Sequence, residues 1–382
     1  MKINLIRSLF LIILVVSTSF YISCKKEKKQ QVPILTTTEV TNNNSSSGGN
    51  ITNEGSSPIT SRGIYWGKNS TPTIYDSITL SGSGTGIFTS AIRNLSPGTN
   101  YYVRAFATNS AGTGYGEALS FATAATYPVV TTNAVSNILA TNATCGGIVT
   151  SDGGSTITAR GICWSTSINP IVSLPTKTID GIVIGVYTSN LTGLQHATTY
   201  YVRAYATNSV GTSYGNQITF VTNHEIGESY RGGIIIYILQ PTDPGFINGE
   251  THGLIAAPTD QSPVSEWGCY GTAINGADGT AIGTGLQNTI DIIAGCSTTG
   301  TAARLCRGVL INGYSDWYLP SYDEMSKIIQ HQSVIGGLPG DIYWTSSEFD
   351  SGNVRILWAN GNNSYGYGGK GGPHYVRPVK SF

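Results

Sequence analysis

The sequence YYVRAFATNSAG occupies residues 101–112, and a near copy, YYVRAYATNSVG, occupies residues 200–211. In the second copy, Val202, Ala204 and Ala206 share one face of an extended chain, while polar and aromatic side chains occupy the other face. A period of two residues is typical of a strand with one buried face. The two stretches therefore predict the same half-buried strand in two copies of one β-rich unit.

The repeat extends on both sides of this strand. Residues 61–67 read SRGIYWG and residues 159–165 read ARGICWS, and glycine and Asn-Ser clusters separate the short apolar runs. About seven short strands in about 95 residues predict a β-sandwich. We therefore predict two all-β sandwich modules, at residues 33–123 and 128–222. In the first module, the polar segment 42–47 predicts a marginal strand.

These repeats resemble a known family of modules. The pattern LSPGTNY at residues 95–101, followed by the strand quoted above, resembles fibronectin type III modules, and the second copy keeps Leu194, Thr198 and Tyr200. We expect both modules to act as spacers, with a ligand site as the alternative, because a fold alone does not define a ligand. Tyrosine and arginine side chains on one strand face are expected to pack against each other.

The N-terminus predicts export. Two cationic residues, Lys2 and Arg7, precede the apolar run LFLIILVV at residues 9–16, and small or polar residues follow up to Cys24. This order is typical of a secretory signal peptide, here residues 1–23. The alternative is a retained membrane anchor, for which the apolar run is short.

The end of this signal resembles a bacterial lipobox, with the sequence YISC at residues 21–24. The resemblance implies that Cys24 is lipidated and attaches the protein to a membrane, and residues 24–32 predict a solvated tether. Lys25 differs from the aspartate that retains lipoproteins at the inner membrane, so an outer-membrane lipoprotein is expected. Whether it faces the cell surface or the periplasm is left open.

Charge and composition narrow the function classes. Charged residues make up only 11% of the chain, which also holds 48 glycines and 22 tyrosines, and this is typical of an exported β-rich protein with many turns. Residues 1–29 hold six of the 21 lysines and arginines but only one of the 21 acidic residues, so the remaining chain is net acidic. We expect no nucleic-acid partner, because such proteins need a basic surface.

Residues 226–382 differ in composition from the repeats and are called the C-terminal region below. The run RGGIIIYIL at residues 231–239 predicts a buried strand. Ser321 and Glu324 form an S-x-x-E capping box and predict the start of a helix, and Asn288 is predicted to cap an earlier helix. The region therefore mixes helices and strands.

Three motifs in this region carry a family resemblance: DWYLPSYDEM at residues 316–325, YWTSSE at 343–348 and YVRPVKSF at 375–382. They are similar to the Fibrobacter succinogenes major paralogous domain, which also occurs at the C-terminus of bacterial collagen-like adhesins and looks like a relative of the C-type-lectin-like fold. The resemblance implies surface adhesion through a glycan or protein ligand. The predicted fold class is multidomain, with two all-β fibronectin-III-like sandwiches followed by an α+β C-type-lectin-like domain.

Closely spaced cysteines in an exported chain favour a disulfide. Cys296 and Cys306 flank the break between two predicted short helices, so we predict that they pair and that Cys269 stays unpaired. A second bridge between Cys145 and Cys163 is left open. No histidine has ligand spacing beside the cysteines of the C-terminal region, so no metal site is predicted.

The candidate ligand site is the glycine-rich segment ANGNNSYGYGGKGG at residues 359–372. Amide and hydroxyl groups bond sugar hydroxyls, and tyrosine rings stack on apolar sugar faces. The predicted ligand-binding residues are Asn360, Asn362, Tyr365, Tyr367 and Lys370. A plain surface hairpin is the alternative, and alternation within strands predicts that Trp344 and Trp358 belong to the core.

No catalytic constellation is visible in the sequence, so neither an enzyme nor a cofactor is predicted. Five histidines are scattered along the chain, and Glu348 is expected to hold local backbone or to pair with Arg377. The first hypothesis is an envelope lipoprotein that presents a C-terminal binding domain to a glycan or a surface protein. The second hypothesis is a structural envelope component with no small ligand.

Overall fold

The structure is a computed structural model that describes residues 29–41, 46–338, 341–359 and 364–382. The predicted signal peptide, Cys24 and the loop residues Asn360 and Asn362 lie outside the described residues. The chain divides into two compact units, the first ending at Thr126 and also holding Gly153–Ser155, and the second holding the rest. Within the described part of the chain, every helix is too short or too polar to cross a membrane.

The first sandwich has seven strands in two sheets. The strands are β1 (Ile34–Thr41), β2 (Ser46–Asn53), β3 (Ser61–Gly67), β4 (Ser77–Leu80), β5 (Gly86–Ala91), β6 (Asn100–Asn109) and β7 (Gly112–Ala122). One sheet has the order β1-β2-β5 and the other the order β4-β3-β6-β7. The predicted inward face of β6 is confirmed, because Val103, Ala105 and Ala107 are buried in one apolar core.

The second sandwich repeats this arrangement. Its strands are β8 (Val129–Thr132), β9 (Asn142–Ser151), β10 (Ala159–Ser165), β11 (Gly185–Thr192), β12 (Thr199–Thr207), β13 (Thr212–Tyr214) and β14 (Ile218–Val221). Strands β11, β9 and β8 form one sheet, and β12 pairs with β10, β13 and β14 in the other. Arg203 packs against a tyrosine as predicted, but the ring comes from the neighbouring strand β13 and not from β12, since the guanidinium carbon lies 4.6 Å from the ring centre of Tyr214. Arg104 and Tyr115 make the same contact in the first sandwich, at 4.4 Å.

The C-terminal region combines two sheets with helices. Its helices are α1 (Gly285–Gly295), α2 (Ala302–Gly308), α3 (Tyr322–Gln330) and α4 (Gln332–Ile335). Its strands are β15 (Ser229–Tyr230), β16 (Gly233–Ile238), β17 (Gly253–Ala256), β18 (Ser262–Ser265), β19 (Ile342–Glu348), β20 (Asn353–Trp358), β21 (Tyr365–Gly369), β22 (His374–Val376) and β23 (Val379–Ser381). The sheet orders are β15-β16-β17-β23 and β18-β22-β19-β20-β21. Strand β21 therefore lies at an edge.

The starts of two helices test the predicted caps. The capping box of α3 is confirmed, because the Ser321 side chain accepts from the backbone N–H of Glu324 and the Glu324 carboxyl accepts from the N–H of Ser321. The cap predicted for α1 is wrong, because Thr284 precedes the helix and Asn288 lies inside it. Asn288 is buried, and its side-chain amide donates to the carbonyl of Gly279 at 2.6 Å.

The predicted disulfide is also wrong. Cys296 pairs with Cys269, and their Cα atoms are 5.7 Å apart. Cys306 is a free thiol, because α2 turns it into the apolar core beside Trp267, where burial raises the pKa of its thiol. The bridge therefore joins the segment after β18 to the end of α1.

The cysteines of the second sandwich do not pair. Cys145 and Cys163 are both free and buried, and burial raises the pKa of each thiol to about 11. Cys145 lies in the core between the sheets, together with Ile162 and Trp164. Because side chains alternate along a strand, Cys163 points to the opposite face of β10 and cannot reach Cys145.

Candidate functional site

On the edge strand β21, glycines occupy the inward positions and tyrosines the outward positions. Its sequence is YGYGG, in which Tyr365 is 70% exposed and Tyr367 is 51% exposed. A Cβ atom added at Gly366 would lie 2.6 Å from the ring of Trp358, and one added at Gly368 would lie 3.0 Å from the Ile356 side chain. A larger residue at either position would have to displace the tryptophan or isoleucine side chain beneath the strand, so glycine fits the inward positions and the tyrosines stand outward.

The two tyrosines lie in a larger group of rings. Phe349 follows β19, and its ring centre is 4.0 Å from that of Tyr367. Tyr322 begins α3, and its ring meets Tyr365 edge to face with 6.4 Å between ring centres. Phe349 is exposed like the tyrosines. Exposed rings side by side can stack on the apolar face of a pyranose.

Arg355 completes this surface from the neighbouring strand. It lies opposite Tyr367 in the β20–β21 pair, and its guanidinium carbon is 5.9 Å from the Tyr367 ring centre and 5.5 Å from that of Phe349. We call the group of Tyr322, Phe349, Arg355, Tyr365 and Tyr367 the aromatic face. It offers rings for stacking and a cation for hydrogen bonding.

Burial and neighbouring charges shift the pKa values of two ionisable groups at this face. Burial raises the pKa of the Asp323 carboxyl, and the charges of Lys327 and Arg355 oppose that rise. Burial also raises the pKa of the Tyr322 phenol, with a further contribution from Asp323. The Lys327 ammonium lies 4.7 Å from the ring centre of Tyr237. The aromatic face thus has a carboxyl neighbour, Asp323, and a cationic neighbour, Lys327, both on α3.

Lys370 does not belong to this face, and its prediction as a ligand residue is wrong. Its side chain is fully buried, and its ammonium donates to the carbonyl of Thr272 at 2.6 Å and forms an ion pair with Glu348. The ammonium also lies 4.7 Å from the Trp267 ring centre. Residues before α1 fold over this lysine, so its charge serves the interior and is closed to a ligand.

Glu348 and Arg377 belong to separate ion pairs, so of the two roles expected for Glu348 the pairing with Arg377 is wrong and the contact with backbone is confirmed. Glu348 joins Lys370 and also accepts from the backbone N–H of Ile274 at 2.9 Å. Arg377 pairs with Asp260 at 2.6 Å and donates to the carbonyls of Ala257 and Gly337. Both pairs are buried and satisfied within the C-terminal region, so each is part of the scaffold.

The predicted site residues therefore divide into three groups. Tyr365 and Tyr367 lie together on one exposed face, Lys370 lies in the interior, and Asn360 and Asn362 lie outside the described residues. Sequence reasoning missed Tyr322, Phe349 and Arg355. Arg355 occupies an outward position of the strand before YGYGG, and this alternation was a signal that could have identified it. Within the described ranges, no three histidine, cysteine, aspartate or glutamate side chains gather where they could hold a metal ion.

Comparison with known proteins adds little to this picture. No family model and no curated protein matches the chain. The crystal structure of the chicken CNTN1 FN1-FN3 domains is similar to 50% of this chain, with 16% sequence identity and a TM-score of 0.31. The chain covers 66% of that structure's length, just under two thirds. The sandwich assignment therefore rests on the two sheets of each module and not on this likeness.

Proposed function

We propose that this protein is an exported, lipid-anchored lipoprotein of the bacterial outer membrane whose C-terminal region binds a glycan. The observation that carries the proposal is the aromatic face, where four rings and one guanidinium lie on the outer surface of β20, β21 and α3. Binding sites commonly occupy such irregular surfaces on a rigid scaffold. The two sandwiches, proposed as fibronectin-III-like spacers, hold this region away from the membrane.

The fold of the C-terminal region supports this proposal at a coarser level. Two sheets flanked by helices α1 and α3 are compatible with the C-type-lectin-like relationship that the sequence motifs imply. As part of the proposal, we assign the C-terminal region to the relatives of the C-type-lectin-like fold. A glycan site on the aromatic face would be independent of calcium, since stacking and hydrogen bonding to sugar hydroxyls need no bound cation.

The test is a glycan array probed with the full-length protein in detergent and with a Tyr365→Ala/Tyr367→Ala variant. We expect the wild-type protein to bind at least one envelope glycan. Losing both rings should weaken binding by about 1–3 kcal/mol, the range expected for removing stacked aromatic rings. Tyr75→Ala is the matched control, because Tyr75 is a fully exposed tyrosine of the first sandwich and its removal should leave binding unchanged.

Two outcomes would contradict the proposal. Undiminished binding by the double variant would place the site elsewhere in the chain. Failure of the wild-type protein to bind any glycan or envelope polymer would favour a structural envelope component.

The anchor is tested separately. Cys24→Ala should still be exported but should leave the membrane fraction, because the acyl chains on one cysteine supply the membrane affinity. A variant that still fractionates fully with membranes would contradict lipidation at Cys24.

A further inference from the structure

The proposed glycan site contains one hydrogen-bond donor whose partner is missing. The Nε atom of Arg355 is buried and, within the described part of the chain, has no hydrogen-bond partner. A buried donor that makes no hydrogen bond is unfavourable, because it has lost water without gaining another acceptor. Because Arg355 as a whole is only partly buried, a ligand can bind its guanidinium from outside and compensate for the missing partner.

Arg355 differs in this respect from two buried cations of the C-terminal region, Lys370 and Arg377. Lys370 and Arg377 each lie against a carboxylate, Glu348 and Asp260 respectively. Among the described residues, no ion pair within 4 Å involves Arg355. The guanidinium thus lies beside the stacked Phe349 and Tyr367 rings, and no described carboxylate contacts it.

The shape of the surroundings limits what such a ligand can be. Guanidinium groups present a planar fork of N–H donors that matches a carboxylate. Phe349 and Tyr367 stack on each other and lie together on one side of this fork, and Tyr365 extends the row of rings along β21. A sugar that carries a carboxylate offers the guanidinium a charged acceptor, whereas a neutral sugar offers only hydroxyl and ring oxygens, which make weaker hydrogen bonds to it.

We propose that the aromatic face selects acidic polysaccharides, with a hexuronate carboxylate bound by Arg355 and the sugar rings stacked on Tyr365 and Tyr367. This inference rests on the proposed function and specifies its ligand class. Asp323 lies on the same side of the region and opposes an anionic ligand at longer range, and the Lys327 charge one turn further along α3 offsets it.

The experiment is isothermal titration of the full-length protein with oligogalacturonate and with its methyl ester, which keeps the rings and removes the charge. We expect the acid form to bind at least about tenfold more tightly, since hydrogen bonds to charged groups are roughly twice as strong as neutral ones. Arg355→Gln should abolish this preference while leaving binding of the ester, and Arg355→Lys should restore only part of it. Thermal unfolding and ester binding of each variant show whether the face is still folded.

Arg104→Gln is the matched control, since Arg104 lies over Tyr115 in the same way but in the first sandwich. It should keep the preference for the acid form. Equal binding of acid and ester by the wild-type protein, or an unchanged preference in Arg355→Gln, would overturn the inference and leave the proposed glycan function standing. Binding of neutral glycans only would do the same, whereas binding of no glycan at all would reject both.

Discussion

The second sandwich and the C-terminal region bury their interiors in different ways. The sandwich core is made of apolar side chains such as Ile162, Leu191 and Val202, supplied by alternation along the strands. The sandwich also buries the Arg160 guanidinium, which donates to backbone carbonyls, whereas the C-terminal region buries ion pairs, Lys370 with Glu348 and Arg377 with Asp260. A core of the first kind follows from local pattern alone. A core of the second kind depends on partners that lie far apart in the sequence.

The largest effect that this contrast predicts comes from removing one member of a buried ion pair. Lys370→Met leaves the Glu348 carboxylate buried without its cation, so the C-terminal region should lose about 3–5 kcal/mol of unfolding free energy. Peptide-resolved hydrogen exchange in denaturant measures this loss separately from the sandwiches. Lys177→Ala, at an exposed lysine of the second sandwich, is the control and should change little.

The double variant Lys370→Met/Glu348→Met sharpens this test. Replacing both partners with apolar groups of similar volume should recover most of the loss, because the unpaired buried charge is gone. A double variant as unstable as the single one would show that the polar partners of Glu348, and not charge pairing, hold this part of the region.

The disulfide is expected to have the next largest effect. Cys269→Ser/Cys296→Ser opens a bridge between residues 27 positions apart and should destabilise the C-terminal region by about 3 kcal/mol. Added reductant should reproduce this loss in the wild-type protein and leave the exchange rates of the second sandwich unchanged, since its cysteines are free thiols. Peptide mapping that joins Cys296 to Cys306 would contradict the bridge itself.

Glu324 predicts a pH dependence confined to the C-terminal region. Burial raises the pKa of this carboxyl from 4.5 to about 7, against backbone donors that include Ser321 and Gly283. The folded state therefore holds the proton more tightly than the unfolded state. Its contribution is fully present below pH 4.5 and is lost as the pH rises through about 7, so stability should fall by about 2 kcal/mol between about pH 5 and 8.

Glu324→Gln tests this linkage, because glutamine keeps a capping oxygen but does not titrate. The variant should have a lower unfolding free energy than the wild-type protein, because the NH2 group of glutamine replaces an oxygen that accepts from a backbone N–H. Its unfolding free energy should nevertheless vary less with pH than that of the wild-type protein. An equal slope in both proteins would assign the pH dependence to other groups.

The smallest predicted effect lies in the sandwiches. The phenol oxygen of Tyr200 accepts from the backbone N–H of Gln195 at 3.0 Å, and Tyr101 makes the equivalent bond with Ser96. Tyr200→Phe should cost about 1 kcal/mol, the usual contribution of one such hydrogen bond. The loss should appear only in exchange of second-sandwich peptides, and Tyr101→Phe should give the same result in the first sandwich.

The same contrast explains which features could be predicted from the sequence. Strand periodicity and the capping box are local, so the sandwich cores and the start of α3 were predicted correctly. The partner of Cys296 and the burial of Lys370 depend on how the segment before α1 folds back over β19 and β21. No local sequence pattern indicates how this segment folds back. The predicted Cys296–Cys306 bridge and the prediction of Lys370 as a ligand residue are both wrong for this reason.

The aromatic face was predicted in part. Composition identified Tyr365 and Tyr367, because their segment concentrates amide, phenol and ammonium groups in a stretch too rich in glycine to pack a core. Phe349 and Arg355 join them only through the register of β20 with β21 and the turn after β19. The sequence predicts this register only if it is already known that β20 pairs with β21.

The alternation of glycine and tyrosine on β21 has a consequence for how the protein can diverge. Gly366 and Gly368 are fixed by the rings and side chains beneath them, whereas positions 365 and 367 face solvent and support little of the fold. A duplicated gene could therefore change its ligand by single substitutions at the outward positions without passing through an unfolded intermediate. The strand is a surface on which new specificities can arise while the scaffold is inherited intact.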